Sequence, residues 1–301
     1  MDRSRFRRPV PMSPARSIAR EISYASSART RAGRAVIRSL ENLTGRLGLI
    51  RMARGYDAEV AAGRDFWDVM MERYGLRLQV TGGSLADIPA TGPLVVIANH
   101  PYGILDGLVL GHILARRRGD FRILAHRVFR KAAELERVIL PIDFDETREA
   151  RAQNLRTRRE ALEHLAAGGC IGIFPGGTVS TALRPFGRPM DPSWRRFTAR
   201  LIARSGAAVV PVFFEGHNSR MFQIASHLHV TLRMALLVNE FRARVGAPVR
   251  VVVGRPLDPA GIAARAGEPR ALMDHLRAET YRLSPVPIAD LSYGFEFEDA
   301  R

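Results

Sequence analysis

Short apolar runs that alternate with helical stretches constrain the fold of this 301-residue chain more than any other feature. The runs are LRLQV at 76–80, then PLVVIA, FRILA, VILPI, CIGIF, AVVPVFF and VRVVVG. Each has strand length and is rich in valine, isoleucine and phenylalanine. Helical periodicity occupies 104–117, 131–136, 146–167, 195–204 and 268–283, with further apolar helical segments between 221 and 238. Strands that are apolar throughout need cover on both faces, so the alternation predicts an α/β fold. Its sheet should be mixed, largely parallel and flanked by helices.

Charge narrows the partners. The chain carries +16, and of its 46 basic residues only Lys131 is lysine. Guanidinium pairs bidentately with phosphate and carboxylate, which directs attention to nucleic acid, an anionic membrane surface or an acidic cofactor. The single cysteine, Cys170, lies inside CIGIF and reads as a buried structural thiol; it excludes an internal disulfide and a multi-cysteine metal site. No apolar run is long enough to span a bilayer as a helix, and the arginine-rich start lacks the apolar stretch of a secretory signal.

The first 65 residues read as a basic helical extension. Val36, Leu40, Leu43, Leu47 and Ile50 recur at steps of three and four, with Arg34, Arg38, Arg46, Arg51 and Arg54 off that stripe. Such a helix suits a headgroup layer, arginines on phosphates, and equally suits packing on a core. The expected organisation is therefore an N-terminal basic amphipathic extension at 1–65, an α/β domain at 66–284 and a tail at 285–301. That tail is locally acidic and reads as loosely held.

Chemistry in such sheets collects where strands end. After PLVVIA comes NHPYGILDGL, with His100 and Asp106 six positions apart. On a regular helix they would not share a face, so they meet only if Pro101 to Gly103 turn the histidine back. Asn99 is expected to cap the helix that follows, with Pro101 in its first turn. A carboxylate on one ring nitrogen would fix the tautomer and leave the other free to take a proton. After CIGI comes FPGGTVS, where backbone N–H groups of Gly176, Gly177 and Thr178 are candidates for holding an anion or oxyanion. Arg184 and Arg188 follow at once.

NHPYGILDGL, FPGGTVS and VVPVFFEGHNSRMFQIASHLH together resemble the glycerolipid and lysophospholipid acyltransferases related to bacterial 1-acylglycerol-3-phosphate acyltransferase. The resemblance is greatest to the hemolysin-like branch, which includes acyltransferases of ornithine-lipid synthesis, and spans about 66–256. It implies an acyltransferase-like fold and a catalytic pair, His100 as base and Asp106 as its orienter. Phe174, Pro175, Gly176, Gly177, Thr178 and Ser180 would form a substrate-binding block, and Val210 and Pro211 a later strand. The sequence departs from the family in three ways. The histidine-to-aspartate spacing is one residue longer than common, Gly176 stands where a glutamate is usual, and Val179 where an arginine usually contacts the acceptor's phosphate. Valine cannot bind phosphate. Either Arg184, Arg188 or Arg127 supplies that contact, or the acceptor is not a glycerol phosphate.

The implied reaction moves a fatty acyl group from acyl carrier protein or acyl-CoA to a hydroxyl of a lyso-lipid, such as a lyso-ornithine lipid or a lysophospholipid. It takes place at the cytoplasmic face of the inner membrane, with no metal or bound cofactor. The apolar segment 221–238 could line an acyl slot or dip into lipid, and core packing accounts for its apolar residues equally well. A lipid hydrolase using the same pair on water is the alternative within enzymes. A nucleic-acid binder is the alternative outside them, although no zinc finger or RNP-like motif accompanies the charge and nucleic acid is not the expected partner. The G-x-S-x-G of a serine hydrolase, the P-loop and the G-x-G-x-x-G fingerprint are all missing. His217, His227 and His229 lack acidic or cysteine partners at ligand spacing.

Overall fold

The computed structural model describes residues 23–25, 28, 30–126, 133–143 and 147–297. Four helices come first: α1 (Arg31–Thr44), α2 (Arg46–Ala53), α3 (Tyr56–Ala61) and α4 (Phe66–Arg73). Strands β1 (Arg77–Gly82) and β2 (Leu94–Ala98) lead to α5 (Ile104–Arg118), β3 (Phe121–His126), α6 (Ala133–Glu136), β4 (Ile139–Ile142), α7 (Arg148–Ala166) and β5 (Cys170–Ile173). A two-stranded hairpin, β6 (Thr181–Ala182) and β7 (Pro189–Met190), precedes α8 (Arg196–Ser205) and β8 (Ala208–Phe214). The chain continues through α9 (Arg220–Leu228), α10 (Val230–Arg244), β9 (Pro248–Val253), α11 (Pro259–Ala263) and α12 (Pro269–Arg282).

All seven runs read as strands enter one sheet, in the order β1-β9-β8-β2-β5-β3-β4. Every pairing is parallel except β8 with β9. The sheet is thus mixed and largely parallel, and β2, whose five residues are all buried, lies near its middle. Ile97 of β2 pairs with Ile173 of β5, and Ala98 with Val212 of β8. The turns that follow β2, β5 and β8 therefore leave the sheet side by side, which is what brings the separate motifs together.

Three local expectations change. The 31–54 helix is broken at Gly45, whose φ of 142° is a left-handed conformation and whose missing side chain makes room for Arg242 of α10. The side turned inward carries Ile37, Glu41, Leu49 and Ala53, whereas Val36, Leu43 and Leu47 of the expected stripe face outward, Leu43 with 81% exposure. Glu41 is buried because it accepts from the Ser23 hydroxyl and, at 2.6 Å, from the Tyr24 N–H. Arg46 is buried too, so it is not free to meet a headgroup.

The tail, secondly, is held from Leu291 to Phe295, while 285–287 stay exposed. Gly294 N–H donates to the Asp191 carbonyl (2.9 Å), Phe295 N–H to Thr181 (3.0 Å), and Arg277 to the carbonyls of Leu291 and Ser292. Asn99, thirdly, caps no helix. Its amide pairs with the Phe214 carbonyl (2.9 Å) and N–H (2.7 Å), extending the β2–β8 ladder by a side chain, and α5 starts at Ile104 with Gly103 as its cap.

Cys170 is buried as expected, and burial pushes its thiol up to about 12. No helix among the described residues is long and apolar enough to cross a membrane.

Candidate functional site

His100 and Asp106 meet across the turn after β2. Nδ1 of His100 lies 2.9 Å from Oδ2 of Asp106. The turn forms because the same carboxylate oxygen also accepts the backbone N–H groups of Tyr102 (2.7 Å) and Gly103 (3.0 Å), closing a loop at the first turn of α5. Gly103 has φ 89°, and a side chain there would press on the Tyr24 hydroxyl at 3.2 Å, so glycine is required on two counts. Asp106 is fully buried, and that burial raises its pKa against the lowering effect of its hydrogen bonds from His100, Tyr102 and Gly103. The His100 side chain retains 18% exposure and stacks on Phe174, centroids 4.3 Å apart. With Nδ1 committed to the carboxylate, Nε2 is the nitrogen left to exchange a proton.

Phe174 begins the second block, directly after β5. Gly177 N–H donates to the Phe174 carbonyl (3.0 Å), so of the three N–H groups expected to hold an anion this one is already engaged. Pro175 and Gly176 are buried, Thr178 is half-buried, and Val179 is turned into a cluster with Phe222 and Leu237. Ser180, expected to contact substrate, is buried and engaged through both its backbone and its side chain. Its N–H donates to the His100 carbonyl (2.8 Å) and its hydroxyl to Asp191, which leaves it behind the histidine as a brace.

Asp191 escaped the sequence reading. Its buried carboxylate accepts the His100 N–H (3.1 Å), the Ser180 hydroxyl and the Trp194 indole N–H (2.9 Å). One carboxylate thereby ties the first block to the second. Nothing in its local sequence marks it, and its partner His100 is 91 residues away.

Of the arginines, Arg184 and Arg188 are exposed on the β6–β7 hairpin, and Arg127 lies outside the described residues. Arg188 faces an open cleft of about 140 Å³ beside the dyad's turn, shared with Asn99, Pro101, Ser180, His217 and Val286. Arg184 does not reach it. The three histidines singled out earlier have other partners: His217 the Asn218 carbonyl, His227 the Ala182 carbonyl, and His229 the N–H of Thr231. No group of three or more potential metal ligands occurs among the described residues.

An imidazole oriented by a buried carboxylate, open on one side and braced from behind, can act as a general base toward a hydroxyl or water. Comparison with known proteins gives this chemistry its class. A family model described as acyltransferase matches residues 52–287, and the chain belongs to that family. Among curated relatives, a lyso-glycine lipid O-acyltransferase of Phocaeicola vulgatus is 26% identical over 208 residues, 67% of this chain and 71% of that protein. A protein of the same name from Bacteroides thetaiotaomicron is 25% identical over 209 residues, 65% and 71% of the respective chains. The crystal structure of the 1-acyl-sn-glycerophosphate acyltransferase PlsC from Thermotoga maritima aligns with a TM-score of 0.45 at 18% identity, covering 88% of this chain and 87% of that one.

Proposed function

We propose that the protein transfers a fatty acyl group from an acyl carrier protein or coenzyme A thioester to a hydroxyl of a lyso-lipid whose headgroup carries a carboxylate. The observation that carries this reading is the His100 Nδ1 to Asp106 Oδ2 contact of 2.9 Å at the end of a central strand. Nε2 of His100 takes the proton of the acceptor hydroxyl as its oxygen bonds to the thioester carbonyl carbon. The imidazolium so formed is stabilised by Asp106. Collapse of the tetrahedral intermediate breaks the carbon–sulfur bond, and the imidazolium returns its proton to the departing thiolate. The balance is one ester and one thiol, with no covalent enzyme intermediate, metal or bound cofactor.

The amino-lipid acceptor is supported by the names of the two curated relatives and by Val179, whose apolar side chain packs inward where the family's phosphate-contacting arginine is usual. Arg188 lines the cleft beside the dyad's turn, which supports a role for it in pairing with that carboxylate.

The reaction is proposed to run at the cytoplasmic face of the inner membrane. Leu43, Leu47, Met221, Leu228 and Val230 are exposed on helices that pack together, α1 and α9 both against α10, and Leu183 and Phe186 are exposed on the neighbouring hairpin. Each such side chain gains up to about 1.5–3 kcal/mol on full burial in lipid. Arg34, Arg51 and Arg54 are exposed on the same N-terminal helices, and each basic residue near an anionic surface adds about 1 kcal/mol.

The test offers purified protein an isotopically labelled acyl thioester with a lyso-glycine lipid, a lyso-ornithine lipid or lysophosphatidate, in anionic vesicles. A new labelled ester on the amino-lipids is the expected product. Free fatty acid alone would make the protein a hydrolase, and preference for lysophosphatidate would overturn the headgroup assignment. Flotation with the same vesicles checks the membrane face, since Leu43→Ser with Leu47→Ser should release the protein from them.

A further inference from the structure

We infer that Arg233, on α10, supplies the positive charge of the second block, and that it acts on a substrate anion through the hydroxyl of Thr178. This rests on the acyl-transfer reading above and deepens it.

Arg233 is 1% exposed, yet it forms no ion pair with a carboxylate among the described residues. The central carbon of its guanidinium lies over two aromatic rings, 4.2 Å from the centroid of Phe297 and 5.0 Å from that of Phe222. Nη1 donates to the hydroxyls of Thr181 and Ser226, and Nη2 to the Val179 carbonyl (2.8 Å) and the Thr178 hydroxyl oxygen (3.0 Å). Nε has no hydrogen-bond partner. Burying a guanidinium with neutral acceptors alone is costly, and an apolar side chain of similar size is often tolerated better in such a place. The arrangement is therefore poor as a stabilising device. It is sound as a standing positive charge waiting for an anion.

That anion cannot touch Arg233 directly, because the side chain is sealed. Thr178 is the route outward. It is half-buried, and its Oγ1 accepts from Nη2, so its own proton is the one free to point toward a ligand. A hydroxyl whose oxygen already accepts from a cation is a polarised donor, stronger than an isolated threonine. The loop that carries it touches His100 at both ends, through the Phe174 ring and the Ser180 N–H. The charge thus enters the block at the position next to Val179 but arrives from a different helix.

The anionic oxygen it serves is either the acceptor's carboxylate or the oxyanion of the tetrahedral intermediate. The experiment measures kcat and KM for Thr178→Val, Thr178→Ser, Arg233→Gln and the Thr178→Val, Arg233→Gln double variant. Two acceptors are used, a lyso-glycine lipid and its primary amide, which lacks the carboxylate charge. Thr178→Val should lower kcat/KM about tenfold, the order expected for a hydrogen bond to a charged group, and Thr178→Ser should recover it. A loss in KM confined to the carboxylate acceptor identifies the headgroup as the anion, and an equal loss of kcat on both acceptors identifies the oxyanion. In the cycle, Arg233→Gln should add little once Thr178 is valine. Should Arg233→Gln fail to fold, the Thr178 pair decides alone. Wild-type kinetics in Thr178→Val, while the wild-type protein makes ester, overturns this inference and leaves the proposed function standing. Absence of ester from the wild-type protein removes the proposed function itself.

Discussion

The turns after β2 and β5 leave neighbouring parallel strands, one residue pair apart in register, and they divide the labour of the site. In the first, the reactive group points out and the carboxylate that orients its ring is local: Asp106 and the N–H groups it binds all lie within six residues of His100. In the second, most polar atoms point back. Ser180 braces His100, the Gly177 N–H closes its own turn, and the charge comes from α10. A chemical turn can be written in one short motif, whereas a positioning turn draws its partners from wherever the fold brings them.

The sharpest way to break this contrast is His100→Ala. General base catalysis is worth about 100- to 10,000-fold, so kcat should fall into that range while near-UV circular dichroism stays native. A well-folded variant with near-normal turnover would remove the first turn from the chemistry.

Asp106→Asn comes next. An amide oxygen in the place of Oδ2 can still accept from His100 Nδ1 and from the Tyr102 and Gly103 N–H groups, but it carries no charge to stabilise the imidazolium. The base keeps its orientation but loses its counter-charge, and a kcat loss of about 100-fold or more is expected. Stability should move the other way. Burial raises the Asp106 pKa in the folded state, so the contribution of this group to stability is present below the ordinary carboxylate pKa of about 4 and is lost as pH rises through the folded value. The variant lacks that loss. Its Tm relative to wild type should therefore climb as pH is raised from about 4, and a difference flat with pH would contradict the burial argument.

Asp191→Asn tests the brace. One of its two carboxylate oxygens takes both the His100 N–H and the Ser180 hydroxyl, and the other takes the Trp194 indole. An amide cannot accept at both ends. The histidine should shift by a fraction of an ångström, which costs about 10- to 100-fold in kcat. Acceptor KM should stay within about twofold, because Asp191 is buried away from the substrate. A change in KM with kcat intact would reassign Asp191 to binding.

The strands and the pairing of His100 with Asp106 were legible for a common reason: both are written in short-range patterns. Six of the seven sheet strands are nearly uniform apolar runs, and the pair His100 and Asp106 needs only seven consecutive residues to be seen. What escaped is long-range. Asp191 and Arg233 carry no motif and reach partners 91 and 55 residues away. The N-terminal stripe was legible only in part: Leu40 and Ile50 pack inward, Val36, Leu43 and Leu47 face outward, and the covered face includes Glu41, a polar residue that period alone does not assign to it. The tail misled because its anchoring is largely through backbone groups of Gly294 and Phe295, to which an acidic composition gives no clue.

The smallest effect separates the two hairpin arginines, which sequence treats as equivalent. Both are exposed, both follow the second turn, and an exposed arginine without a geometric partner contributes little. Their surroundings differ. Arg188 faces the cleft that opens beside Asn99, Pro101 and Ser180, within the first turn's own neighbourhood, while Arg184 lies elsewhere on the hairpin. Arg188→Ala should raise the acceptor KM about tenfold for a carboxylate headgroup, as expected when a charge-assisted bidentate contact is lost, and kcat should barely change. Arg184→Ala should stay within about twofold on both. Arg188→Lys keeps the charge but not the planar fork, so a partial recovery of KM would separate geometry from simple attraction. Equal effects from Arg184 and Arg188 would mean that the hairpin acts as a diffuse basic surface. The second turn would then position the histidine while lending the acceptor nothing specific from this side.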